Sequence, residues 1–392
     1  MRYLHAVLLT GFVATAAAQQ LPPVRPLGRV LSTSTEPLAS VSQARALPDG
    51  RVIVNDNTGR RVVMFDSLLK VVTIIADSTG ASGNAYGSRL GGVMAYRGDS
   101  TLFVDPASLS MLVIDPEGRV RRTMAVPRPN EAQNLIGGPF GTPGFDAAGR
   151  LVFRSANSSA LRQSRDGPEM LQQLPDSAVI VRYDYTSRTP DTVAKIRIPR
   201  VGMMIVKDEK GRGVITSIVN PMPVPDDWAL LADGSIAIVR GREYRVDFIG
   251  ADGKAWSAPK LGFEWQRLSD EDKIAMIDSM KTVMIERTRG EGSSPGTMPA
   301  GMQFVSPNEL SDYRPAFRLG AARGDADGNL WIRTTKIVNG GSVYDVVNRV
   351  GELVDRVLVP PGRVIAGFGR DGVVYMGVVD GDIARLERAR MR

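Results

Sequence analysis

The 392-residue sequence contains no cysteine and a single histidine, His5. Without cysteine there are no disulfides to staple the chain. A packed core must therefore supply the stability, and a chain of this length can bury one. His5 falls inside an N-terminal stretch built like an export signal. Arg2 gives a positive start, residues 6–14 are apolar, and Ala16, Ala17 and Ala18 place small residues before a cut expected ahead of Gln19. Residues 1–18 are thus expected to be removed, leaving a mature chain with neither histidine nor cysteine. That excludes zinc sites built on those ligands, Ser-His-Asp triads and cysteine nucleophiles. Asp, Glu, Tyr, Lys and Arg remain, and calcium is the metal left open because it takes oxygen ligands. No other cofactor is implied. With no cysteine for lipid attachment, a soluble product is expected, periplasmic or secreted. Past residue 18 no run approaches 18 uncharged apolar residues, so no membrane span is expected. The formal charge of +7 comes from dispersed Lys and Arg rather than a basic patch, which argues against a nucleic-acid partner.

What the chain has in abundance is turn residues, 41 glycines and 25 prolines scattered along it, as many short strands require. Residues 47–65, LPDGRVIVNDNTGRRVVMF, set the pattern: an Asp49-Gly50 turn, a strand at 51–55, a polar turn and a further strand at 60–65. Six segments repeat a Gly- or Asp-Gly-marked turn followed by an alternating apolar strand, at 48–56, 98–106, 147–155, 232–241, 326–334 and 370–378. Each follows a short small-residue or apolar segment. Five are succeeded by a third strand and a more polar fourth. Four antiparallel strands, six times over, predict an all-β fold. It is a six-bladed β-propeller in one domain, residues 19–392, whose blades stack around a channel because no blade can bury both faces alone.

The sixth unit stops after its third strand, at 382–392. Residues 27–34, LGRVLSTS, follow the signal with no blade start before them and match the polar fourth strands in pattern. They are expected to pair with 382–390 and close the ring, since an open sheet edge invites aggregation. Asp49, Gly50, Val54, Asp56, Arg61, Val62, Phe65 and Asp66 of the first unit, and the run Asp-Gly-Asn-Leu-Trp at 327–331 of the fifth, form a recognisable consensus. In these residues the unit resembles the repeats of NHL-type six-bladed propellers. The resemblance implies the scaffold. The aspartate after the second strand is missing from units three, four and six.

With the strands of a blade lettered a to d outward from the channel, the a–b turns lie on one face and the b–c and d–a connections on the other. The long connections, 77–90, 127–142, 156–177, 199–226 and 262–314, fall on the second face, and long loops carry function more often than the scaffold beneath them. The longest, 262–314, contains a predicted helix at 270–288, with Ser269 as N-cap and Asp272 at the reciprocal capping position. Ile274, Ile277, Met280 or Lys281, and Met284 are spaced along one face of it. The helix is a lid over the channel, a partner-binding element or a surface-packed strut. Residues 290–301, rich in Gly, Ser and Pro, read as a linker.

Asn55, Asp56 and Asp105 end their b strands on the loop-rich face, where oxygen side chains could hold calcium. The matching positions of later units carry Arg154, Arg240, Arg333 and Gly377. That mixture suits an anion, because arginine binds carboxylates and phosphates through paired N–H donors. The plain alternative is that Asp and Asn cap turns while Arg solvates strand ends. Asp226 and Asp227 precede the first strand of unit four and could enter the channel, one of them with a raised pKa suited to acid–base work. The Gly-Gly-Pro-Phe-Gly loop at 137–141 lacks the Lys and Ser/Thr of a phosphate loop, and Asp325-Ala-Asp327-Gly reads as a turn because its spacing is wrong for a calcium loop.

Two functions stay open. One is an exported, non-enzymatic propeller that binds a protein, peptide or small anionic ligand on its loop-rich face. The other is a carboxylate- or calcium-dependent hydrolase or lyase with its site in the channel mouth, an arrangement that loosely resembles lactonase-type propellers. The histidine-dependent versions of that chemistry, the streptogramin-lyase and quinoprotein types, lack their base here. No catalytic residue is assigned, and no pattern in the chain specifies an oligomeric state.

Overall fold

The structure is a computed structural model and describes residues 21–79, 84–155, 176–199, 202–207, 213–288 and 301–391. The expected signal at 1–18, nearly all of the 290–301 linker and most of the 156–177 connection lie outside the described residues.

Blade one shows how the sequence makes a blade. Gln43–Ala46, Val52–Asp56, Arg61–Phe65 and Val72–Asp77 pair in chain order, each antiparallel to the next. The side chains of Val52 and Val54 join the core shared with blade six, and that of Ile53 joins the core shared with blade two. A period of two therefore feeds alternate residues into different blade interfaces. Every residue of Val52–Asp56 is buried, and Val52, Ile53 and Val54 are accordingly apolar on both faces. Asp49 fixes the a–b turn by accepting the Arg51 N–H at 3.0 Å.

Blade two runs from Gly92–Ala95 to Val120–Ala125, and blade three from Gly144–Phe145 to Thr189–Arg197. Blade four runs from Asp227–Leu230 to Ala255–Lys260, and blade five from Phe317–Gly324 to Leu353–Val359. Arg363–Phe368, Val373–Asp380 and Ile383–Arg390 make three strands of blade six, and Val30–Thr33 supplies the fourth. The fold is thus a six-bladed β-propeller. Its apolar core is divided into six clusters, one between each neighbouring pair of blades, including the pair that meets across the chain ends. At the closure the Ser34 N–H donates to the Leu386 carbonyl at 2.8 Å, and the Leu386 N–H donates to Ser34 Oγ at 3.0 Å.

Two elements go beyond the sequence expectation. Val24–Pro26 runs parallel along Leu353–Val359, so the N-terminal segment stitches blade five to blade six, with Leu27 buried in the core between them. Inside the 199–226 connection, Gly202–Lys207 and Gly213–Val219 form a hairpin, and Met302–Phe304 adds to it in parallel. This small sheet ties the two largest connections of the loop-rich face together.

Helix α1, Asp270–Thr288, opens with the Ser269 N–H donating to Asp272 at 2.9 Å and the Asp272 N–H donating back to Ser269 Oγ at 3.2 Å. Its buried anchor is Ile277, 4% exposed, which packs on Met222, Leu268 and Leu310. Ile274, expected on the same stripe, is 48% exposed. The helix is rotated because Lys273 turns inward to an ion pair with Asp312 at 2.7 Å. No helix among the described residues is long and apolar enough to cross a membrane.

Candidate functional site

The central channel holds a cavity of about 530 Å³ lined by the first strands of all six blades. Its loop-face end is covered by the 137–141 loop. Gly137, Gly138 and Gly141 all adopt left-handed φ (79°, 66° and 88°), which lets the loop lie flat across the blades. Gln43 of blade one donates to the Ile136 carbonyl at 2.9 Å, and Trp228 Nε1 of blade four donates to the Phe140 carbonyl at 2.9 Å. A Cβ on Gly141 would stand 2.1 Å from Trp228 Nε1, and one on Gly320 of blade five 3.1 Å from the Gly138 carbonyl. The cavity continues to Ala232, Asp325 and Arg370, at or beside the a–b turns of the plain face.

The residues singled out from the sequence are distributed around this cap and are not gathered into one constellation. Asn55 is fully buried, donating to the Gly91 carbonyl at 2.8 Å and accepting from the Tyr86 hydroxyl at 3.1 Å. Asp56, also fully buried, accepts N–H groups from Ala39, Ser40 and Gly59 and a guanidinium N–H from Arg61. Burial alone would raise its pKa, but those donors bring it below the usual carboxylate value. Asp105 accepts from Ala107 N–H at 3.0 Å and the Ser108 hydroxyl at 2.6 Å. Asp226 and Arg240 do meet, at 2.8 Å, and Arg240 also pairs with Asp247 at 2.6 Å. Arg154 stacks on the Phe140 ring of the cap, 4.6 Å from its centroid, and donates to the Pro139 carbonyl.

Asp227 lies beneath the same cap, 1% exposed, and joins blade four to blade five by accepting the Trp228 and Ala322 N–H groups, each at 2.9 Å. Burial pushes its pKa up to about 6, against the pull of those N–H donors and of the Arg154 charge. Among the described residues, no group of three His, Cys, Asp or Glu is placed to hold a metal ion.

The open space on the loop-rich face lies to one side of the channel, over blades three to five, in three adjoining cavities. The largest, about 1260 Å³, runs between blade four and the 262–314 insertion and carries both charged and aromatic walls. Phe263 and Trp265 meet edge to face at 5.2 Å, and Trp265 and Tyr313 remain 43% and 47% exposed. A second cavity, about 200 Å³, is lined by Pro221, Met222, Pro223 and Met276. A third, about 370 Å³, is lined by Arg314, Arg318 and Arg333 with Thr334, Thr335 and Ser342. The first two share Met222, Pro223 and Pro315, and the last two share Arg314, Arg318, Leu319 and Thr335.

The third cavity has the clearest chemical character. Arg333 is exposed and donates to Ser342 Oγ at 3.1 Å. Buried Arg314 Nε has no hydrogen-bond partner. Among the described residues no carboxylate is in ion-pair contact with Arg314, Arg318 or Arg333; Asp272 on α1 feels the Arg314 charge only weakly, its own partner being Ser269. Behind them stands Arg323, whose guanidinium is held below its ordinary pKa by burial first and by the nearby Arg333 charge, against Tyr344 and Asp227. Arg333 was expected at the end of its strand, but the strand runs on from Leu330 to Val338 and Arg333 lies within it, beside a register shift before Ile337. Arg314 and Arg318 were not expected: Arg314 ends the insertion and Arg318 lies on the first strand of blade five, Phe317–Gly324, and their signal was the Arg-Pro-Ala-Phe-Arg run where the two join.

A separate polar chain anchors the start of the insertion. The Tyr244 hydroxyl donates to Asp345 at 2.6 Å, Asp345 faces Arg356 at 3.4 Å, and Arg356 and Lys336 reach Glu264 at 3.3 and 2.5 Å.

No family model matches the sequence, and no curated protein matches it. Among solved structures the chain is similar to a gluconolactonase from Xanthomonas campestris, at 10% identity over 94% of this chain and 97% of that one, with a TM-score of 0.41. It is also similar to the calcium-binding protein regucalcin from Agrobacterium tumefaciens (13%, 95% and 98%, 0.41) and to virginiamycin B lyase from Staphylococcus aureus (10%, 93% and 99%, 0.40).

Proposed function

We propose that this chain is an exported, periplasmic or secreted, β-propeller that captures a small anionic ligand on its loop-rich face. The observation that carries the reading is the convergence of Arg314, Arg318 and Arg333 on one cavity, with no carboxylate in ion-pair contact among the described residues. Three guanidiniums in one cavity repel one another unless an anion sits between them, and each offers paired N–H donors to carboxylate or phosphate oxygens. The NHL-type repeat resemblance accounts for the scaffold in this reading and leaves the ligand to the connections. Titration calorimetry with citrate, acetate and inorganic phosphate tests it. Replacing Arg314, Arg318 and Arg333 together by Gln is expected to abolish binding while the circular dichroism spectrum stays unchanged; equal binding by the triple variant rejects the site.

The second reading is a hydrolase or lyase using carboxylates or calcium at the channel mouth. The elevated pKa of Asp227 is the observation that favours it. The 137–141 cap above that carboxylate would have to lift for substrate to reach it. Elemental analysis of the purified protein, and a melting curve with and without chelator, test the calcium form.

A further inference from the structure

We infer that the anion captured on this face is amphiphilic: a medium-chain carboxylate whose head is held by Arg314, Arg318 and Arg333 and whose tail lies between Met222 and Met276 beneath α1. This rests on the proposed anion site and specifies its ligand. The arginine cavity and the apolar cavity adjoin one another. Arg314, Arg318, Leu319 and Thr335 line both, so a single molecule can occupy the two ends.

The chemistry changes along that path. At one end are guanidiniums and the Ser342 hydroxyl. At the other the wall is Pro221, Met222, Pro223 and Met276, with no charged group beyond the two shared arginines. A small polyanion such as citrate would leave this apolar end filled with poorly bonded water. A purely apolar ligand would strip the arginines of water with nothing in return. A molecule with one anionic head and an apolar tail satisfies both ends. The long stems of Arg314 and Arg318 fit the junction, since their methylenes can lie along the tail while their heads bind the carboxylate. Methionine walls adapt to a flexible chain without a fixed shape. At about 200 Å³ the apolar end suits a short tail rather than a long-chain lipid.

Titration calorimetry with acetate, butyrate, hexanoate and octanoate is the test. The dissociation constant is expected to tighten by about fourfold per added methylene, equivalent to about 0.8 kcal/mol, until the cavity is full. Met276→Trp should fill the tail space and abolish the dependence on chain length. Met276→Ala, which cannot block the cavity, should keep the dependence and serves as the folding control. Arg318→Gln with Arg333→Gln should weaken every acid by a similar factor. Equal affinity from acetate to octanoate overturns the tail assignment and leaves the anion site standing. A chain-length dependence that survives both the arginine pair variant and Met276→Trp overturns both. Octanoate bound only when presented in phosphatidylcholine vesicles, and not free, would assign the face to a membrane surface and overturn the proposal of a soluble ligand.

Discussion

Deleting residues 19–35 removes both N-terminal strands, and the cost follows from their contacts. Beyond the ladder bonds of the two strands, which are left out of the sum, the deletion loses the bonds from Leu27 N–H to Leu358, Ser34 N–H to Leu386 and Arg390 N–H to Arg29, at 2.9, 2.8 and 3.4 Å, and the Leu386 N–H bond to Ser34 Oγ at 3.0 Å. At about 0.5–1.5 kcal/mol net apiece, these contribute about 2–6 kcal/mol. Leu27, 8% exposed against Trp331 and Val357, adds roughly 2 kcal/mol of apolar burial. The Arg25–Asp355 pair, whose carboxylate is buried while Arg25 is partly exposed, is left out of this sum. The sum, about 4–8 kcal/mol, is comparable to the whole stability of about 5–15 kcal/mol expected of a domain. With an unfolding entropy of about 2.1 cal/mol/K per residue, this lowers the melting temperature by roughly 5–10 °C. Far-UV circular dichroism melts of the shortened and parent chains measure it. Size-exclusion chromatography reports whether the bared edge of Ile383–Arg390 drives association. A melting temperature within about 2 °C of the parent, with no association, would refute the reasoning.

Three further perturbations follow from single contacts. Tyr244→Phe leaves fully buried Asp345 without its 2.6 Å donor and is expected to cost about 2 kcal/mol, read from the urea midpoint. Gly367→Ala drives a Cβ to 1.9 Å from the Ala44 carbonyl across the junction of blades six and one; a loss of about 3 kcal/mol is expected, and an unchanged denaturation midpoint would show that the blades can part. Asp227 has a folded pKa of about 6, above its unfolded value of about 3.9, so the native state holds the proton more tightly. Its contribution is fully present below about pH 4 and is lost as pH rises through 6, by about 3 kcal/mol in all. The stability difference between the parent and Asp227→Asn should carry that slope between pH 4 and 6; a flat difference contradicts the burial argument.

The blades were legible because their signals are local. An Asp-Gly turn and a period-two strand sit within ten residues of each other in 47–56, and the run Val52, Ile53, Val54 announces its burial by being apolar. The closing strand could be inferred from a polar strand at 27–34 with no blade of its own. The hairpin Gly202–Lys207 and Gly213–Val219 escaped because it belongs to no blade and is completed by Met302–Phe304 from a distant connection. The site was harder for the same reason. Nothing next to Asp56 in the chain reveals that the N–H groups of Ala39 and Ser40 will fold back to occupy its oxygens. Nothing near Arg333 reveals that Arg314, at the end of the insertion, and Arg318, on the first strand of blade five, line the same cavity. Strand-end position identifies candidates, and the path of the long connections decides which of them stay open.

Ser34 finds Leu386 352 positions further along the chain. The first strand of the ring to be synthesised is therefore the last to be paired. Blades one to five can assemble in order as the chain lengthens, but blade six cannot, because its outer strand has to wait for Ile383–Arg390 to appear beside it. Completion of the ring depends on Ile383–Arg390, the strand that Val30–Thr33 pairs with. A chain that stops short of it presents two bare edges, at the last strand made and at the first one waiting, and edges of that kind attract proteases and other chains. In this way the junction records whether synthesis reached Ile383–Arg390.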